Sequence, residues 1–188
     1  MNDQYPHSIE NRGESLQLFM DGLVLAVLSA AVWMDFDAYR ISNGLMAGAA
    51  AVGLGLNAWR AGPAGTADAL AGCLLPFILL LPVYGLSMLG AGDIKLLMAA
   101  GAFTGLKGSI YSLIAAFFIG AVISLTLMIK HRNFLQRLKF FFEYLIQIKS
   151  NHSVKPYYHL KTPVKGETVH FSLCIAAGVC IYLLMRGG

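Results

Sequence analysis

Apolar residues fall along this chain in about six long runs, which short polar or glycine-rich stretches separate. The runs cover approximately residues 16–34, 45–59, 69–89, 93–105, 109–129 and 169–185. Most of them approach the length of about 20 residues that a helix needs to cross a bilayer. The second run is rich in alanine and glycine, which predicts close contacts between helices. The pattern predicts an all-α, polytopic membrane protein with about six transmembrane helices.

Two parts of the chain depart from this apolar pattern. Residues 1–15 form a polar N-terminal tail, and residues 130–168 form a basic loop inside a membrane domain that covers residues 16–188. Within the loop, residues 134–148 place apolar side chains at i, i+3, i+4 and i+7, which predicts an amphipathic segment. The pattern fits equally a helix lying flat on the membrane and a fifth helix continued into the cytoplasm.

The composition agrees with a membrane protein. Hydrophobic residues make up 57% of the 188 residues and charged residues only 13%, whereas about 25% of a soluble domain is charged. The net charge is +4, and most of the bases fall on one predicted face, which is therefore expected to be cytoplasmic. The bases of that face are Arg40, Lys95, Lys130, Arg132, Arg137, Lys139, Lys149, Lys155, Lys161 and Lys165. We expect this charge to contact membrane lipids and not nucleic acid.

Metal-binding and targeting signals are weak in this sequence. Cys73, Cys174 and Cys180 lie in apolar runs and lack the spacing of metal ligands, so packing is their expected role. The N-terminus is polar, whereas a cleavable signal peptide needs a basic start followed by an apolar run. We therefore expect no metal, no cofactor and no signal peptide.

Two acids stand out against the apolar background. Asp93 follows Gly90 and Gly92 between two apolar runs, and these glycines allow the backbone to turn sharply. An acid at membrane depth costs about 2.5–3.5 kcal/mol, which makes it a functional candidate with a partner to find. We expect that partner to be Asp35, at the end of the first run, because both acids fall at the predicted cytoplasmic face. Asp37 is the rival for this role, although its surroundings suggest a more solvated position.

Two carboxylates from separate helices suggest proton chemistry. Because neighbouring carboxylates cannot both ionise easily, they share a proton and titrate as one unit. One can then take a proton from water while the other protonates the oxygen of a scissile carbonyl group. Asp21 and Asp68 lie near predicted helix starts, where the helix dipole favours an acid. We expect Asp21 to be a first-turn acid near the membrane interface and Asp68 to have a capping role instead of a catalytic one.

Two motifs carry a family resemblance. Residues 90–96 read Gly-Ala-Gly-Asp-Ile-Lys-Leu, which resembles the GxGD motif of type IV prepilin peptidases. Asp35 is followed after five residues by Ile41, Ser42 and Asn43, which is similar to the first motif of that family. Ser42 stands where the family usually has proline.

The resemblance covers about residues 16–185 and includes the last apolar run. It implies a membrane aspartic endopeptidase with Asp35 and Asp93 as the catalytic acids and no cofactor. It implies cleavage of leader peptides from prepilins or pseudopilins at the cytoplasmic face of the bacterial inner membrane, with pilus-assembly machinery as a possible partner. Motif support is expected from Gly90, Gly92, Lys95, Ile41 and Asn43. The chain looks like the short form of Tad/Flp-type pilus systems, without the methyltransferase insertion of larger members.

Two other functions also fit intramembrane acids. A proton-coupled transporter uses such acids as relays, but the chain has a glycine break at residues 90–92 and no matching break in a second half. In a non-catalytic membrane subunit of a pilus or secretion machine, the acids would pair with Lys95 or Arg40. The distance between Asp35 and Asp93 distinguishes these functions, because a protease needs the two acids near each other.

Overall fold

The described residues of the chain form four α-helices. The computed structural model describes residues 5–38, 42–86, 89–130 and 170–187. The helices are α1 (Tyr5–Ala38), α2 (Asn43–Gly85), α3 (Ala91–Lys130) and α4 (Phe171–Gly187). Stretches long and apolar enough to cross a membrane occur in the first three of them, at Ser15–Asp37, Asn43–Gly85 and Ala91–Leu127. The described part of the chain is thus all-helical, as predicted, and has the helices of a membrane protein.

Helices α2 and α3 each contain two of the predicted apolar runs. They have 43 and 40 residues, so each would be roughly 60 Å long if straight, about twice the thickness of a bilayer core. Each is broken once, at Gly62 with φ of 59° and at Gly105 with φ of 73°. Glycine adopts such positive φ values without the steric cost that other residues incur. Each long helix is therefore two helical arms joined at one glycine.

The arms of each broken helix fold back at the same end of the bundle. A Cβ atom on Gly65 would contact the backbone of Asn57 across the break at Gly62, although residues eight apart are far separated in a straight helix. The carboxylate of Asp68, just after this break, accepts a hydrogen bond from the backbone N–H of Leu106 at 3.2 Å. We call the end that carries Asp68 and Leu106 the turn end.

The opposite end of the bundle, which we call the motif end, carries the residues of both sequence motifs. Lys95 Nζ donates to Asn43 Oδ1 at 2.8 Å, which joins the first turns of α2 and α3. Helix α1 reaches this end with Asp35, which accepts a hydrogen bond from Ser172 at the start of α4. Helix α4 then returns to the turn end, where Arg186 forms an ion pair with α1.

Small residues allow α2 and α3 to pack closely. A Cβ atom on Gly72 would lie 2.5 Å from the carbonyl oxygen of Gly101, so the two backbones are in direct contact there. The buried side chain of Asn57 donates to the carbonyl oxygens of Ala102 at 2.9 Å and Phe103 at 3.3 Å. The surrounding core includes the buried side chains of Leu28, Leu80, Leu96, Leu97, Ile175 and Val179. The glycine- and alanine-rich run, residues 45–59, makes such a contact as well, because a Cβ atom on Gly53 would lie 2.9 Å from the backbone of Ala102. The close contact predicted from this run is confirmed.

Several predicted boundaries differ from the structure. Helix α1 begins at Tyr5 and so includes most of the predicted polar tail, residues 1–15. The glycine-rich turn expected between the second and third runs is reduced to the single break at Gly62. The predicted amphipathic segment and most of the basic loop, residues 130–168, lie outside the described residues. They therefore stay predictions.

Candidate active site

Asp35 lies near the C-terminus of α1 and is held by the start of α4. Ser172 Oγ donates to Asp35 Oδ2 at 2.6 Å, and His170 Nδ1 lies 3.1 Å from the same oxygen. Ser172 is fully buried, while the side chains of Asp35 and His170 are each 19% exposed. Asp35 is therefore an acid at the edge of the bundle with an ordered hydrogen-bonding environment.

His170 is held in place through both its ring and its backbone. It stacks on Phe36, with the ring centroids 4.2 Å apart and the planes at 26°. Its backbone carbonyl accepts a hydrogen bond from the N–H of Leu173 at 3.1 Å, at the point where α4 begins. Because an ionised carboxylate can only accept, Nδ1 must carry the hydrogen when it bonds to ionised Asp35.

Asp93 lies in the first turn of α3, after the two glycines of the motif. The backbone of Gly90 forms a hydrogen bond with its carboxylate. A Cβ atom on Gly90 would lie only 3.2 Å from Asp93 Oδ2, so a larger residue would crowd the acid. Gly92 directly precedes Asp93 within the first turn of the helix. An acid in this position is also favoured by the helix dipole.

A cavity of about 480 Å³ lies beside Asp93. Its lining residues come from the two residues before α3, from both arms of α3 and from α4, and they are Leu89, Gly90, Asp93, Phe117, Gly120, Ala121, Ser124 and Phe171. Phe117 and Phe171 pack edge to face in its wall, with their ring centroids 5.3 Å apart. The cavity wall is mostly apolar, so a carboxyl group or a bound segment of chain would meet few polar groups there.

The two acids share one region of the motif end. Their carboxyl groups are near enough for their charges to interact. Two consecutive residues of α4 link their surroundings, because Phe171 lines the cavity of Asp93 and Ser172 binds Asp35. Lys95, which a structural role would have paired with an acid, donates to Asn43 instead. The bundle thus brings together the two acids that the sequence analysis paired.

The segment before α2 shows how Ser42 replaces the expected proline. Ser42 has φ of −64° and ψ of 125°, a backbone conformation that proline also adopts. Its side chain accepts a hydrogen bond from the N–H of Leu45 at 3.5 Å and so caps α2. Asn43 follows in the first turn, while Ile41 and Arg40 lie outside the described residues. The substitution therefore keeps the backbone conformation and adds a cap.

Asp37 occupies a different environment from Asp35. It is exposed and lies on the wall of a separate cavity of about 650 Å³ between α1 and α4. Residues two apart on a helix point in different directions. Asp37 therefore does not share the contacts that Asp35 makes with Ser172 and His170.

The other two candidate acids have structural partners. Asp68 does cap a helix, as expected, but the helix is the second arm of α3 and not its own. The position expected for Asp21, in the first turn of its helix, is wrong, because α1 begins at Tyr5 and Asp21 lies well inside it. Asp21 instead pairs with Arg186 at 3.0 and 3.1 Å.

The structure bears on two predictions, the packing role of the cysteines and the expected absence of a metal site. Cys73 and Cys174 are buried and Cys180 is half-buried, in keeping with packing roles. Among the described residues, no group of three or more His, Cys, Asp or Glu side chains is placed to hold a metal ion.

The roles of His170 and Ser172 at Asp35 were not predicted from the sequence. The sequence feature that could have indicated them is a pair of polar residues, two positions apart, at the start of an apolar run.

Comparison with known proteins identifies the family. A family model described as the type IV leader peptidase family matches residues 22–125. This region is more than half of the chain and contains both Asp35 and Asp93. No curated protein and no solved structure matches the chain. The chain belongs to the type IV leader peptidase family, as its two motifs indicated.

Proposed function

We propose that this member of the type IV leader peptidase family is a membrane-embedded aspartic endopeptidase with Asp35 and Asp93 as its catalytic acids. Its proposed substrates are prepilins or pilin-like proteins, from which it removes the leader peptide at the cytoplasmic face of the bacterial inner membrane. The observation that best supports this function is the approach of Asp35 on α1 to Asp93 on α3 at the motif end.

The proposed reaction is hydrolysis of one peptide bond. The ionised acid of the pair takes a proton from water, and the resulting hydroxide oxygen attacks the carbonyl carbon. The protonated acid donates its proton to the carbonyl oxygen, which gives a tetrahedral intermediate. As the C–N bond breaks, the proton taken from water passes to the leaving nitrogen, and a hydroxyl proton of the intermediate returns to the other acid. The leader carboxylate and the new amino terminus are released, and the acid pair is restored. The mostly apolar cavity beside Asp93 would exclude other water and strengthen these electrostatic interactions.

The membrane arrangement follows from the broken helices. If each arm of α2 and α3 crosses the membrane once, the described chain makes six crossings together with α1 and α4. The motif end would then face the cytoplasm, since Lys95 and Lys130 lie at this end and basic residues favour that side. This orientation would place both acids where a leader peptide is accessible before export.

One observation favours a non-catalytic alternative. His170, when protonated, forms an ion pair with Asp35, and an acid paired with a base is what a structural subunit of a pilus machine would show. The proton-relay alternative of a transporter has no comparable support in the described residues. Mutational loss of cleavage separates the enzyme from the structural subunit, because only the enzyme has a cleavage activity to lose.

The test is co-expression with a candidate prepilin, followed by the size shift of the cleaved product. Asp35→Asn and Asp93→Asn should each abolish cleavage while the protein remains in the membrane. The double variant should be no worse than either single one, because the two acids act as a unit. Asp37→Asn is the matched control, since it removes a neighbouring charge on α1 without touching the pair.

The outcomes differ clearly between the alternatives. Substantial cleavage by either single variant would contradict the assignment of the acid pair. Loss of cleavage in Asp37→Asn with retention in Asp35→Asn would transfer the role on α1 to Asp37. Absence of any cleavage by the wild-type protein, with pilus assembly still dependent on it, would favour the structural subunit.

A further inference from the structure

We propose that Ser172 and His170 are positioning residues that orient the carboxylate of Asp35 for its part in the reaction. This inference rests on the proposed function and deepens it, because it gives the start of α4 a role in the active site. Neither residue lies in the region 22–125 that matches the family model. The proposal therefore depends on the geometry of this chain.

The bond from Ser172 is the stronger of the two contacts. Its 2.6 Å length falls within the range of about 2.5–2.7 Å for a hydroxyl that donates to an ionised carboxylate. The side chain is fully buried, so water does not compete for it. Two other buried serines, Ser109 and Ser112, have hydroxyl groups without a hydrogen-bond partner among the described residues. Burial alone therefore does not produce the contact seen at Ser172.

His170 adds a second constraint from a different direction. Its stacking on Phe36 fixes the plane of the ring, and its Nδ1 atom lies 3.1 Å from Asp35. Phe36 is the neighbour of Asp35 on α1, so the ring contacts two successive residues of the same helix. This double contact ties the position of the carboxylate to the start of α4.

Both contacts go to the same oxygen of Asp35, and this favours one assignment of the general base and the general acid to the two residues. Within the described residues, the hydrogen bonds to Asp35 are made to Oδ2. An oxygen that accepts two hydrogen bonds is poorly suited to carry the proton that a general acid must donate. Oδ1 is left to take a proton from the attacking water. We therefore assign the base to Asp35 and the acid to Asp93.

The experiment compares cleavage kinetics of the purified full-length protein in detergent with a prepilin substrate. Ser172→Ala removes one donor, and His170→Phe removes the other while keeping an aromatic ring against Phe36. Each should lower kcat about 10- to 100-fold, the usual effect of losing a partner that orients a reactive group. KM should change little, because neither side chain is proposed to bind the substrate.

Two further variants separate positioning from packing. His170→Asn places an amide N–H close to where Nδ1 was, so it should recover part of the kcat that His170→Phe loses. Ser112→Ala is the matched control, since it removes another buried serine hydroxyl in the same core. Its kcat should equal that of the wild type. If Ser172→Ala does not fold, the two variants of the partly exposed His170 still decide the question.

The results also distinguish this inference from the proposed function. If Asp35→Asn and Asp93→Asn abolish cleavage but Ser172→Ala and His170→Phe keep the wild-type kcat, the positioning role is overturned and the acid pair stands. The same holds if Ser112→Ala loses as much kcat as Ser172→Ala. If the Asp35→Asn and Asp93→Asn variants remain active, the acid pair itself is wrong and the positioning role is overturned with it.

Discussion

Replacement of Gly72 by alanine tests the helix contact that positions Asp93. Gly72 lies on the second arm of α2 and packs against the first arm of α3, whose first turn carries Asp93. An added Cβ atom would lie 2.5 Å from the carbonyl oxygen of Gly101 and 2.5 Å from the carbonyl group of Gly105. Ordinary contact begins near 3.4 Å. The two arms would therefore have to separate by about 1 Å, because backbone atoms cannot rotate away.

The expected loss in the free energy of unfolding follows from this separation of the two helical arms. Overpacking of a close contact usually costs about 1–3 kcal/mol, and the higher helix propensity of alanine returns at most about 1 kcal/mol. Because the added atom meets backbone and not a flexible side chain, the upper part of this range, about 2–3 kcal/mol, applies. The Gly72→Ala variant should therefore lose about 1–2 kcal/mol of unfolding free energy. A displacement of this size at a reacting group can also lower the rate about 100-fold, so cleavage should fall more steeply than stability.

The assay is reversible unfolding in mixed detergent micelles, with cleavage measured on the same samples. Gly55→Ala is the matched control, because it lies on the same helix and an added Cβ atom would meet no heavy atom within 4 Å. It should be as stable as the wild type or slightly more stable. Equal stability of the Gly72→Ala and Gly55→Ala variants would refute the proposed contact between the two backbones.

Two further predictions concern polar contacts in the same bundle. Asn57→Ala should cost about 1–3 kcal/mol in the same assay, because it leaves the buried carbonyl groups of Ala102 and Phe103 without their donor. An unchanged midpoint would contradict this role. Asp68→Ala should cost about 0.5–2 kcal/mol through loss of the cap on Leu106. Asp68→Asn should retain most of the stability, and equal losses in both variants would argue against capping.

The candidate acids could be found from the sequence because their chemistry conflicts with their surroundings. Asp93 stands among apolar residues and follows Gly90 and Gly92, and both features can be read without knowledge of the fold. Asp35 ends an apolar run and begins the motif that continues to Asn43. Their pairing needed only the alternation of runs across a membrane, which places the end of the first run and the start of the fourth on one face.

The contacts that hold the acids could not be found in the same way. In a membrane protein, lipid-facing and buried side chains are both apolar, so the pattern does not show which helices pack together. The ion pair of Asp21 with Arg186 joins α1 to α4. These residues are far apart in the sequence, and no local sequence pattern predicts their contact. The breaks at Gly62 and Gly105 were similarly hidden among many glycines, most of which do not have positive φ.

The last helix explains why the two motifs alone do not make the site. The matched region, residues 22–125, contains both acids and the glycines that precede Asp93. It does not contain Phe171, which lines the cavity of Asp93, or Ser172, which binds Asp35. Both come from the first turn of α4. Because one helical turn binds Asp35 and lines the cavity beside Asp93, a small shift of α4 would change the two environments together, and its position is therefore part of the proposed catalytic geometry.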